Sequence, residues 1–165
     1  VDHRLITAYN ARLNVQESKM ADITLISGST LGSAEYVAEH LEEKLQDAGF
    51  STQMLHGPAL DEVPQEGIWL VVCSTHGAGE IPDNLQPWFE AISESQPDLS
   101  QVRFGAVGLG NHEYDLFCGA IRQIETLLIA QGAQRIGDRL EIDVLEHEIP
   151  EDPAEAWVMT WKNAI

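Results

Sequence analysis

Ser27-Gly28-Ser29-Thr30-Leu31-Gly32-Ser33 lies between the apolar run Ile23-Thr24-Leu25-Ile26 and the segment Ala34-Glu35-Tyr36-Val37-Ala38-Glu39-His40-Leu41, whose apolar positions recur at helical spacing. A glycine-punctuated, hydroxyl-rich turn therefore stands where a buried strand passes into a helix. Such a junction holds anions, because a helix N-terminus leaves about four backbone N–H groups unpaired and carries roughly half a positive charge. Ser29, Thr30 and Ser33 add hydroxyls, and Gly28 and Gly32 allow close backbone approach. The loop contains no Lys or Arg, and it matches neither G-x-x-x-x-G-K-[ST] nor G-x-G-x-x-G. Two readings remain: a phosphomonoester held by hydroxyls and amides, or an ordinary strand-to-helix turn.

Strand and helix patterns alternate along the rest of the chain. A first strand over about 22–27 leads to a helix over about 33–48, with Ala34, Val37, Ala38, Leu41, Leu45 and Ala48 on one face and Gly49 as its stop. A short, polar-alternating second strand over about 51–56 suits a sheet edge, whereas the third, about 67–73, is apolar on both sides and suits the centre. A helix over about 84–95, a strand over about 102–108 and a helix over about 116–131 follow. The fifth strand is expected over about 139–146, and the last helix is expected to open on Asp152, with Glu155 closing a capping box. Repeated βα units with right-handed crossovers predict a doubly wound, five-stranded parallel α/β sheet.

Ligands of such sheets bind outside the carboxyl ends of the strands. Three loops should then meet: 27–33, Ser74-Thr75-His76-Gly77-Ala78-Gly79-Glu80-Ile81-Pro82-Asp83-Asn84, and Gly108-Leu109-Gly110-Asn111-His112-Glu113-Tyr114-Asp115-Leu116-Phe117-Cys118. The second and third each present a ring, His76 or Tyr114, among glycines. This suits a flat heteroaromatic ligand gripped between two loops with its phosphate in the first. Alternatively, Tyr114 is a half-buried packing residue and His76 a loop histidine bonded to backbone.

Charge narrows the partners. The chain carries 27 acidic and 9 basic residues, a net charge of −18, which repels nucleic acid and anionic membranes and favours a positively charged protein surface. Residues 1–19 hold 3 of the basic and 2 of the acidic residues and read as a dispensable N-terminal extension, either a cloning remnant or an upstream start, ahead of a domain over 20–165. Two cysteines without a CxxC pair suggest neither a disulfide scaffold nor a zinc site, and the longest apolar run is far short of a membrane span. A cytoplasmic protein is the expectation.

No catalytic nucleophile emerges. Cys118 and Arg122 are spaced C-x3-R rather than the C-x5-R of phosphatases, and Cys118 is expected to pack at a helix start. Ser27 and Cys73 stand where a phospho-receiver would carry acidic residues, and His3, His40, His56, His112 and His147 show no metal spacing.

On its three loop motifs the sequence resembles the flavodoxin-like family. Residues 27–35 resemble the phosphate loop G-S-x-T-G-T-A-E of diflavin-reductase relatives, residues 74–84 their S-T-Y-G-x-G-x-x-P-D-N, and residues 108–117 their G-L-G-N-x-x-Y-x-x-F. Leu31 departs from the usual Thr, and His76 from the usual aromatic ring. The resemblance implies strand order 2-1-3-4-5, the short-chain form, noncovalent FMN and single-electron transfer by a carrier rather than an enzyme. It implies cofactor contacts from Ser29, Thr30, Leu31, Gly32, Ser33 and Ala34 in the first loop. The second loop would contribute Ser74, Thr75, His76, Gly77, Ala78 and Gly79. Leu109, Gly110, Asn111, His112, Tyr114 and Phe117 would come from the third, with Tyr114 stacked on the ring. Its expected partners are a basic-faced flavin reductase and a redox acceptor protein, such as biotin synthase, met by a monomer that binds neither nucleic acid nor membrane. A stand-alone FMN-dependent oxidoreductase and a cofactor-free interaction module are the competing readings.

Overall fold

The structure, a computed structural model, describes residues 21–76, 79–111 and 117–165. The expected extension over 1–19 and its boundary lie outside them.

Strand β1 (Ile23–Gly28) is buried along its length and pairs in parallel with β2 (Thr52–His56) and β3 (Gly67–Ser74). Strand β3 pairs with β4 (Val102–Gly110), placing Trp69 beside Phe104 and Cys73 beside Gly108. The order is 2-1-3-4-5, with the half-exposed β2 at one edge, as its polar alternation predicts.

Successive residues of β3 serve opposite faces, the period of two that a strand imposes. Trp69, Val71 and Cys73 enter the core that also holds Trp88 and Ile92 of helix α2 (Gln86–Ser95) and Ile121, Ile124 and Leu128 of α3 (Gly119–Ala130). Leu70 and Val72 enter the other core, with Val37, Leu41 and Leu45 of α1 (Ser33–Asp47) and Ala154, Val158 and Trp161 of α4 (Glu151–Trp161). Two helices on each face make the sheet doubly wound. Ala48, expected on the apolar face of α1, is its exposed C-cap.

The fifth strand is divided. Gln134–Arg135 forms β5, the chain leaves the ladder, and Leu140–Asp143 forms β6, both parallel to β4. The physical cause is visible between the two pieces. Gly137 turns at φ 65°, and the indoles of Trp161 and Trp157 donate to the carbonyls of Ile136 and Asp138, each at 3.0 Å. Helix α4 thus draws this segment toward itself. Residues 144–146 form a turn rather than the expected strand end.

The expected capping box of the last helix is absent. Helix α4 begins at Glu151 with Pro150 at the cap position and no side-chain cap. The Glu155 carboxylate instead meets His40 and Lys44 of α1, each at 3.3 Å. Opposite charge on the neighbouring helix outcompetes a local N–H.

Candidate functional site

The carboxyl ends of β1, β3 and β4 open into one cavity of about 550 Å³, within the range of small-molecule sites. The first loop contributes Thr30, Leu31 and Ser33, the second Ser74, Thr75 and His76, and the third Leu109, Gly110 and Asn111. No Lys or Arg is among the described residues that line it.

The first loop is set by close approach. A Cβ on Gly28 would lie 2.7 Å from the Cβ of Leu85, so glycine alone lets the turn pack against the end of the second loop. Gly32 caps α1 at φ 87° and supplies no side-chain cap, leaving the N–H groups of the first turn beside Thr30 and Ser33 at the cleft. Ser29 is buried and turned inward. Its hydroxyl accepts from the Gly32 N–H at 2.9 Å and donates to Glu35, whose other oxygen accepts from Asn84 Nδ2 at 3.2 Å. A serine hydroxyl has one proton, so Thr30 and Ser33 carry the hydroxyls that face the cleft.

The second loop is anchored at both ends. Thr75 donates its N–H to the Leu109 carbonyl at 3.0 Å, and its Oγ1 accepts from the Ala120 N–H at 3.1 Å, so it ties β3 to β4 and to the start of α3. His76 and Glu80 exchange backbone hydrogen bonds of 2.8 and 2.7 Å. The exposed ring of His76 reaches the first loop, with Nδ1 3.2 Å from Thr30 Oγ1. Gly79 is buried at φ 100° and its carbonyl accepts from Gln123 Nε2 at 2.5 Å. Gly77, Ala78, His112 and Tyr114 lie outside the described residues.

The third wall includes two residues that sequence reasoning missed, Cys118 and Val144. Cys118 packs at the start of α3, as expected, and also closes the cleft. It adopts φ 53° as the cap residue, and a Cβ on Gly110 would lie 2.9 Å from its backbone nitrogen. Burial, reinforced by the Glu141 charge, pushes its thiol up to about 12. Val144 follows β6 and donates its N–H to the Gly110 carbonyl at 3.0 Å. The carboxyl-end rule missed Val144 because the fifth strand, expected to run to 146, ends at Asp143. Of the remaining expected residues, Ala34 is buried on the inner face of α1, and Phe117 packs half-buried against the α2–α3 core.

An uncapped helix end with two hydroxyls stands at one side of the cleft, and the apolar surfaces of Leu109, Cys118 and Val144 stand at another. The donors match a phosphate and the apolar wall matches a flat ring, so a flavin mononucleotide fits these residues. Among the described residues, no group of three His, Cys, Asp or Glu side chains is placed to hold a metal ion, and no helix is long and apolar enough to cross a membrane.

The Flavodoxin family profile matches residues 25–157. The chain is 63% identical over 146 residues to protein MioC of Escherichia coli K12, covering 88% of this chain and 99% of that protein. It is 37% identical over 144 residues to flavodoxin YqcA of the same organism, covering 86% and 97%. Among solved structures, a cysteine-to-serine variant of a flavodoxin from Pseudomonas aeruginosa superposes with a TM-score of 0.77 at 36% identity, covering 86% of this chain and 97% of that one.

Proposed function

The chain belongs to the flavodoxin family, whose members imply a flavin cofactor and electron carriage, and we propose that it binds FMN noncovalently and passes single electrons between proteins. The observation that carries this reading is the meeting of three loops at an uncapped helix end, in one cleft that no Lys or Arg lines among the described residues. Family membership supports the redox role, and the uncapped helix end beside Thr30 and Ser33 supports FMN over a flavin without phosphate.

The bound flavin supplies the one-electron chemistry. The protein's residues hold and bias it. Thr30, Ser33 and the first N–H groups of α1 would hold the phosphate, and by the family resemblance Tyr114 and the peptide groups of Gly77 to Gly79 would serve the ring. The net charge of −18 opposes further negative charge in the cleft, which makes the reduced protein a strong donor.

The same acidity selects partners with basic faces. A flavin reductase delivers electrons, and an acceptor such as a radical-forming biosynthetic enzyme, of which biotin synthase is one, takes them from the monomeric, cytoplasmic carrier. Titration of apoprotein with FMN tests the core of the reading. Saturable binding with flavin absorption bands is expected, and calorimetry silent on FMN addition would overturn it.

A further inference from the structure

Beside the first N–H groups of α1, the phosphate end of the cleft has few side-chain proton donors among the described residues. Ser29 gives its proton to Glu35, no lysine or arginine lines the site among the described residues, and Thr30 and Ser33 remain. Thr30 is itself engaged: its Oγ1 lies 3.2 Å from His76 Nδ1. A threonine hydroxyl has a single proton and two lone pairs. If that proton pointed to Nδ1, Thr30 would offer a phosphate oxygen only lone pairs, which repel it.

We propose that His76 is a positioning residue for the phosphate rather than a stacking face for the ring. Nδ1 carries a proton and donates it to Thr30 Oγ1, so that the Thr30 proton is turned toward the phosphate. The paired backbone hydrogen bonds between His76 and Glu80 hold the histidine backbone in place beside the first loop. The Gly32 cap keeps Thr30 at the mouth of α1. Glu80 shares the two-bond backbone bridge with His76, and Glu35 accepts the Ser29 proton behind the first loop. This arrangement makes the second loop a determinant of selectivity for the phosphorylated flavin, and it rests on the FMN reading.

The two roles predict opposite results for two substitutions. Phenylalanine keeps a ring and loses the donor; asparagine loses the ring and keeps a donor at similar reach. Apoproteins of wild type, His76→Phe, His76→Asn and Thr30→Val are titrated with FMN and with riboflavin, following flavin fluorescence. His76→Phe is expected to lower the preference for FMN over riboflavin about tenfold, the scale of one hydrogen bond to a charged group. His76→Asn retains the preference. Thr30→Val loses it, and adding His76→Phe to Thr30→Val lowers it no further. A preference that survives in His76→Phe, or equal weakening of FMN and riboflavin in that variant, overturns the assignment. Wild-type protein that binds no FMN overturns instead the flavin reading beneath it.

Discussion

Arg122 of α3 and Glu141 of β6 meet in a two-bond fork, Nε to Oε2 at 2.6 Å and Nη2 to Oε1 at 2.7 Å, and Arg139 adds a third bond to Oε2 at 2.8 Å. The fork fastens the detached piece of the fifth strand to the helix whose cap lines the cleft. Hydrogen bonding from Arg122, with support from Arg139, holds the Glu141 carboxyl below its usual range despite partial burial. A depressed folded value means that this stabilisation is complete above the unfolded glutamate value, near pH 4.3, and is lost as pH falls through the lower folded value. Arg122→Gln is expected to cost about 1 kcal/mol or less at pH 7, because Arg122 is half exposed, and almost nothing at about pH 2. Urea unfolding of both proteins at the two pH values checks this; a cost that is independent of pH would contradict it.

Gly105, in the middle of β4, makes room for Trp161. A Cβ there would lie 2.6 Å from the Cε2 of that buried indole, which is pinned by its bond to the Ile136 carbonyl. Gly105→Ala should therefore destabilise the fold by about 1–3 kcal/mol through overpacking. Trp161→Phe should relieve part of that cost, so the two changes are non-additive in denaturant melts.

Glu35 places a carboxylate behind the phosphate loop while organising Ser29 and Asn84. Glu35→Gln keeps an acceptor for the Ser29 proton and removes the charge. FMN affinity of the apoprotein should rise a few-fold at low ionic strength and converge on wild type at high salt, with riboflavin affinity unchanged. Calorimetric titration at two salt concentrations measures both effects.

Both cysteines are buried, and burial is the main cause that raises each thiol far above its free value, Cys118 to about 12. The thiolate is the reactive form, so neither should react at pH 7 with a disulfide reagent while the chain is folded. Both should react promptly in denaturant. Absorbance of the released thiol follows the count, and a fast native reaction of one equivalent would show that the cleft wall at Cys118 opens.

The alternation of apolar strands and amphipathic helices, and the position of each glycine-rich loop at a strand end, were legible in the amino-acid sequence alone. These are local properties: period two against period 3.6, glycines where backbones approach, and hydroxyls at a strand-to-helix turn. They suffice for a doubly wound sheet with a cleft at one end. The division of the fifth strand, the pairing of Glu155 with a histidine 115 residues away, the inward turn of Ser29 and the meeting of Thr30 with His76 across 46 residues were decided only by tertiary structure. Each is a competition among hydrogen-bonding partners brought together by packing. Local sequence names the competitors along one segment, but the winner depends on which distant carboxylate, indole or imidazole the folded chain places within 3 to 4 Å.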